Sequence, residues 1–411
     1  MTRPAPVEAA VAAPVVAPAR WIWLAAWPVT AVFVLSNAAT PLYGLWQRDI
    51  GFSKGTMTVV FACYIVGLIG SLLVSGVVSD RVGRKPVLLP ALGLAVLACG
   101  VFATATSVVA LMVARLFAGI AVGAVVSAGM AAVTDVAGPD RKRLGALLAS
   151  CAMVLGAGVG PLLAGVLSET LPGPTVTVFL VEIVLLVLAF VTVLRMPVPR
   201  PSAAAAAGGG AWIRLPKVPR GNGRQLLLGI AVFAPGITST SFVLSLGPSL
   251  LSGLLGTTSR VVAGAMAFVM FLAATGVQFA VKGLRVRAIL LGGAGGVVAG
   301  MAALMAAVWS SSVVLLAAAA ILVGAGQGMG QLGGLSLLNS TVPGDRLAEA
   351  NAALNVGGYL PAGALPVAAG YLSDGIGLTG GATTFAVVLA VLAVAGGGVV
   401  VLGGRRGRSR G

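Results

Sequence analysis

Twelve charge-poor apolar runs follow one another along the chain, each cut off where Gly, Pro and charged residues cluster. They predict spans at 21–46, 56–78, 86–105, 107–134, 144–167 and 174–194, and then at 225–247, 258–281, 287–307, 312–340, 347–372 and 381–403. Each run is near the ~20 apolar residues that an α-helix needs to cross the hydrocarbon core of a bilayer. Helices satisfy their own backbone groups in lipid, so the expected fold is an all-α membrane protein.

An ungapped shift pairs the two sets of six runs. It superimposes Gly119 on Gly324, Gly123 on Gly328, Asp140 on Asp345, Arg141 on Arg346, Pro161 on Pro366, Gly165 on Gly370, Ser168 on Ser373 and Glu169 on Asp374. The charged pair and the proline fall at the loop and helix positions that a duplication requires. The expectation is therefore two pseudo-symmetric six-helix bundles, 21–196 and 225–403, with the internal repeat common among transporters. Around them lie a disordered tail (1–20), a linker (197–224) and a basic C-terminal tail (404–411). Within the linker, Ala203–Ala207 and Gly208–Gly210 read as a flexible tether. Trp212, Ile213 and Leu215 beside Arg214, Lys217 and Arg220 could rest on anionic headgroups.

Composition supports a membrane solvent. Of the 411 residues 58% are hydrophobic and 9% charged, and the mean hydropathy is +1.07. A net charge of +16 could suggest nucleic acid, but the basic residues form no stripe interleaved with aromatics. They alternate from loop to loop instead. All but four of the 26 Lys and Arg lie in the tails, the linker and the loops after even-numbered spans; the exceptions are Arg48, Lys54, Arg115 and Arg260. The positive-inside rule then places both termini in the cytoplasm. Trp21, Trp23 and Trp27 mark the first membrane boundary. Cys63, Cys99 and Cys151 lie within spans and read as small buried hydrophobes, not as a disulfide or metal ligands. There is no histidine, no phosphate loop and no nucleophile with a base at motif spacing, so enzyme chemistry finds no support.

Three motifs carry the functional reading. Between spans two and three stand Gly76, Asp80, Arg81, Gly83, Arg84 and Lys85. Gly76 permits close helix approach, Gly83 a tight turn, and the charges can pair with a neighbour or a helix terminus, Asp135 being a plausible partner of Arg84. The corresponding second-half loop, Lys282 to Arg287, keeps basic residues but lacks the acid. Span five carries Gly156, Gly160, Pro161, Ala164 and Gly165, whose small residues allow close packing while Pro161 removes a backbone donor. Span four carries Arg115 ahead of Gly119 and Gly123.

This set resembles the major facilitator superfamily over nearly the whole chain: its signature loop, its basic span-four motif, and the antiporter motif of its drug:proton exchangers. The resemblance implies that the span-two loop gates as a latch between the halves, that Gly156, Gly160, Pro161 and Gly165 form a hinge at an inter-half contact, and that Arg115 takes part in proton transfer. A guanidinium there costs about 2.5–3.5 kcal/mol to insert, so it should face a cavity or a partner. Glu182 is the acid placed well inside a span, about 10 Å from its outer end at ~1.5 Å per residue, and is a candidate proton carrier or partner of Arg115. Exchangers of this type often carry an acid in span one; here span one has none, and offers Asn37, Thr40, Pro41 and Tyr43.

Asn37, Tyr43, Gln327, Gln331 and Asn355 are the candidate cavity-lining, substrate-binding residues, and aromatic residues beside few charges suit an apolar or mildly cationic substrate. The expected function is export of drug-like or metabolite molecules by proton antiport and alternating access. Uptake or uniport of a sugar or amino acid, or ligand sensing without flux, are the alternatives. Expected partners are a small-molecule substrate, protons and the lipid bilayer, with no nucleic acid, cofactor or metal. The chain is expected to act as a monomer in a plasma membrane, and its bias to Ala, Gly, Val and Arg points to a high-GC bacterium.

Overall fold

The computed structural model describes residues 18–198, 212–213, 217–254, 256–343 and 346–408. The tail before residue 18, the stretch Ala203–Gly210, Arg214, Leu215 and Asp345 lie outside the described residues. Eleven apolar helical segments are long enough to cross a membrane among the described residues. They are α1 (Arg20–Gly51), α2 (Lys54–Val82), α3 (Lys85–Ala103), α4 (Val108–Ala137), α5 (Lys142–Thr170, preceded by a 3₁₀ turn), α6 (Pro174–Arg195), α7 (Gly223–Gly253), α8 (Arg260–Val281), α9 (Val286–Ser310), α10 (Val313–Asn339) and a long segment from Leu347. That last segment is 56 residues long, far more than one crossing needs. Gly377, at φ 84° and ψ 160°, breaks it into α11 (347–376) and α12 (378–408), so the described helices make twelve crossings. An L side chain rarely adopts that backbone conformation, and glycine meets it at no steric cost.

Several ends fall outside the expected limits. Arg20 is already helical, so it does not belong to a disordered tail, and Gly223 and Arg224 open α7 instead of closing the linker. The C-terminal helix runs on to Arg408, through residues expected to be tail. The helical ladder runs past the apolar run at these ends, and helix limits differ from hydropathy limits by such margins.

α1–α6 pack mainly on one another, as do α7–α12, with α2 on α4 and α8 on α10 as equivalent close pairs. Glycine decides how close. Gly119 and Gly123 of α4 meet the carbonyls of Tyr64 and Leu68 on α2; Gly324 and Gly328 of α10 meet those of Met270 and Ala274 on α8. Lipid tails are as apolar as Leu, so helices in a bilayer associate through van der Waals contact of this kind. The repeat extends to the caps. Ser53, Ser107, Ser259 and Ser312 begin α2, α4, α8 and α10, each accepting a bond from the N–H three residues on. At the other end, Lys85 Nζ donates to the Leu194 carbonyl at the end of α6 (2.7 Å), and Arg287 donates to Val401 of α12 (3.0 Å). Lys85 there complements one of the last, unpaired carbonyls of α6.

We term the end with the α2–α3 turn the basic end and its opposite the far end. At the far end the halves are stitched together twice. Asp374, closing α11, accepts from the backbone N–H of Lys54 (3.0 Å) and Gly55 (2.8 Å) at the start of α2. Glu169, closing α5, accepts from the N–H of Arg260 and of Val261 (3.2 Å) at the start of α8. Arg260 returns the contact through Ser168, its Nε on Oγ at 2.9 Å and its Nη2 on the carbonyl at 2.7 Å. Each half therefore supplies a carboxylate to the positive N-terminus of a helix of the other half. Replacing Glu169 or Asp374 by Ala should each cost about 0.5–2 kcal/mol, as a lost N-terminal cap does. The effects should add, because the two sites share no partner, and thermal unfolding of the single and double variants in detergent measures this. Gly119→Leu and Gly324→Leu should each abolish a monodisperse folded species in size-exclusion chromatography, since a side chain there would overlap backbone.

Candidate substrate and coupling site

The sequence break in α1 builds the centre of the first half. Pro41 has no N–H for the helical ladder, and residues Thr40–Leu42 tighten into a 3₁₀ turn. Next to this turn the Ser36 carbonyl accepts from Arg115 Nη1 at 2.7 Å. Arg115 Nε donates to the Tyr43 hydroxyl at 2.5 Å, one side of the same turn. The guanidinium lies 5.0 Å from the ring centre of Tyr43, 5.5 Å from Phe61, 5.9 Å from Tyr64 and 5.8 Å from Phe102, so aromatic rings from α1, α2 and α3 surround it. Arg115 is 0% exposed, and its Nη2 has no partner.

Tyr43 is equally buried and holds Arg115 from behind, so it does not line open space as expected. Asn37 is also buried; its amide donates to Ser36 Oγ at 3.0 Å. The Tyr64 hydroxyl lies beside Ser36. Two of the chain's four tyrosines, Tyr43 and Tyr64, thus flank Arg115. Tyr64, Ser36, Phe61 and Phe102 were not singled out from the sequence. The scarcity of tyrosine, with three copies in mid-span, was the available signal.

Glu182 is 1% exposed on α6, and its Oε2 has no partner. It faces the bundle and not the headgroups: Phe179, one turn earlier, stacks on Phe102 at 4.8 Å, and Trp46 stacks on both, at 6.1 and 5.7 Å. No ion pair joins Glu182 to Arg115 among the described residues, so the expected pairing is absent. Phe102 belongs to the guanidinium cage and also stacks on Phe179, three residues before Glu182 on α6.

The second half contributes amides. Gln327 donates to Gln331 at 3.2 Å on α10, with Gly236 of α7 packed on the Gln327 backbone. Asn355 of α11 is half-buried; Asn351, one turn before it, leaves its Oδ1 without a partner. Tyr359 meets Phe233 edge-on at 6.4 Å. The hydroxyls of Ser239 and Thr240 on α7 bond carbonyls of their own helix and offer little to a ligand.

At the basic end, Gly83 turns the chain at φ 100° and lets Arg84 fold back. Arg84 Nε sits 2.9 Å from Asp135, and Nη1 reaches Asp80 at 2.7 Å and Ser79 Oγ at 2.9 Å. Burial works against its charged form, but the bonds to Asp135 and Asp80 outweigh that and raise its pKa. Gly76 is buried, Lys85 caps α6, and Arg81 lies 4.7 Å from the ring centre of Trp212, which seats that linker residue on the turn and not on headgroups alone. On α5, Gly156 and Gly160 meet the carbonyls of Thr30 and Val34 on α1, while Pro161 and Gly165 meet Gly264 and Arg260 on α8. One helix thus touches its own half with one part of the motif and the other half with the next.

Two bundles of membrane-length helices, joined at one end over a buried polar centre, define a polytopic membrane protein built for a site between halves. The chain belongs to the Major Facilitator Superfamily, whose family description matches residues 22–310. That membership places it among membrane transporters and not enzymes. It is similar to the major facilitator-type transporter psiT2 of Psilocybe cyanescens, 36% identical over 125 residues, which cover 30% of this chain and 22% of the relative. It is also similar to the major facilitator superfamily domain-containing protein 10 of Bos taurus, 32% identical over 155 residues and 33% of each. The matches thus span about a fifth to a third of the length of these relatives. The solved nucleoside transporter NupG shares the fold, with a TM-score of 0.73, 11% identity and coverage of 92% of this chain and 99% of that one.

Tyr43→Phe should lower the unfolding temperature although it removes one oxygen. A buried hydrogen bond to a charged group is worth about 1.5–3 kcal/mol. Differential scanning fluorimetry beside Tyr371→Phe, an exposed tyrosine, measures the difference.

Proposed function

We propose that the protein exports drug-like or metabolite small molecules in exchange for protons, by alternating access of its two six-helix halves. The basic end faces the cytoplasm under the positive-inside rule, and the protein resides in a bacterial plasma membrane. The observation that carries the coupling is Glu182: a carboxyl buried inside a span with an unpartnered oxygen. An acid in that setting is costly when ionised and tolerable when protonated, which is the property of a proton carrier. Gly156, Gly160, Pro161 and Gly165 support the exchanger reading, because α5 contacts both its own half and α8 there.

In this reading the Glu169 and Asp374 caps shut the far, outer end. The network of Asp80, Arg84 and Asp135, with Gly76, Arg81, Gly83 and Lys85 around it, sets the position of α2, α3 and α4 at the cytoplasmic gate. Gln327, Gln331, Asn355 and Asn37 supply polar contacts near the midplane. Closure at the two ends alternates as α2–α11 and α5–α8 rock.

Reconstituted vesicles test the proposal. Substrate should move when a pH gradient is imposed, and Glu182→Gln should lower gradient-driven flux at least tenfold while leaving exchange of labelled for unlabelled substrate measurable. Flux indifferent to the gradient and to the substitution would identify uniport and overturn the antiport reading.

A further inference from the structure

The geometry points to Arg115 as the anchor for an anionic group of the transported molecule, which makes the substrate an organic anion with a flat apolar or aromatic body. This rests on the reading of the chain as a transporter and goes further by naming the charge of its cargo.

The argument starts from what the guanidinium lacks. It is fully buried, its Nε and Nη1 are held by two neutral oxygens, and its Nη2 is held by nothing. No carboxylate lies within 4.0 Å of it among the described residues, and Glu182, the buried acid of the same bundle, makes no ion pair with it. A buried unpaired charge is costly by several kcal/mol, and the surrounding ring faces offset only part of that, about 0.5–2 kcal/mol for a good contact. The two bonds that exist fix the orientation of the fork without neutralising it. A carboxylate, sulfonate or phosphate would supply the missing charge and a charge-assisted bond to Nη2.

The surroundings suit the rest of such a ligand. The ring of Phe61, 5.5 Å from the guanidinium, supplies apolar surface beside the fork for a flat body. The guanidinium is fully buried with the Tyr64 ring 5.9 Å away, so a ligand reaches it only when the surrounding helices part, as in the rocking already invoked. A cationic substrate would meet an uncompensated like charge here, contrary to the mildly cationic cargo that composition suggested.

The test uses the purified full-length protein and a panel of one- and two-ring aromatic carboxylates, each beside its primary amide and the corresponding methylammonium. Carboxylates of the panel should raise the unfolding temperature in a concentration-dependent way, as a ligand that binds the folded state must. The amides and ammonium compounds should not. Arg115→Gln should weaken carboxylate binding at least tenfold, and Arg115→Lys, which keeps the charge but not the fork, should fall between. If Arg115→Gln does not fold, the carboxylate and amide comparison on the unaltered protein decides. No stabilisation by any carboxylate, equal stabilisation by the amides, or binding to Arg115→Gln within twofold of the unaltered protein would each overturn the assignment. Carboxylate binding through Arg115 without flux in vesicles would leave the site standing and overturn transport. Gradient-driven flux of neutral or cationic compounds that carboxylates do not inhibit would do the reverse.

Discussion

In a bilayer, apolar side chains gain nothing by leaving lipid for protein, so the bundle depends on backbones coming close enough for dense van der Waals contact. Gly119 and Gly123 against α2, and Gly324 and Gly328 against α8, are where that happens. The remaining geometry follows from these two seams. With α4 pressed on α2, Arg115 is carried into the ring cage of Tyr43, Phe61, Tyr64 and Phe102; with α10 pressed on α8, Gln327 and Gln331 are set against α7.

The contact between halves obeys a different economy. At α5–α8 and α2–α11 the small residues Gly165, Gly264, Gly55 and Gly370 bring helices together, but polar bonds finish the job. Glu169 and Asp374 each bind free N–H groups of a helix start. Such bonds are local and mostly exposed, and they sit beside glycine contacts as close as those inside each half.

Buried charge is spent sparingly, at Arg115 and Glu182, both in the first half, and the structure leaves each with an atom unpaired. Among the described residues the two opposite charges form no ion pair with each other, while Trp46, Phe102 and Phe179 stack together in the same bundle. The unpaired guanidinium is also why the polarity of the cargo expected from aromatic residues beside few charges in the spans differs from that inferred from the site.

Hydrophobic run length by itself determined that the chain is helical and membrane-embedded, because lipid admits few other backbones. The duplicated positions Pro161 and Pro366, or Glu169 and Asp374, made the twofold plan legible, and the spacing around Gly76, Asp80 and Arg84 pointed to Asp135, which is found 2.9 Å from Arg84. Local signals reach that far because turns and helix termini are set by neighbours in sequence. What only the tertiary structure decided is who meets whom across many residues. Tyr43 was read as lining a cavity and is instead bonded to Arg115; Glu182, offered as a proton carrier or as the partner of Arg115, makes no ion pair with it; Tyr64 carried no motif and is found 5.9 Å from the guanidinium. The angular position of a side chain on a helix fixes its face but not the neighbour it finds, and in an apolar chain without a solvated side that neighbour is chosen by glycine-set packing.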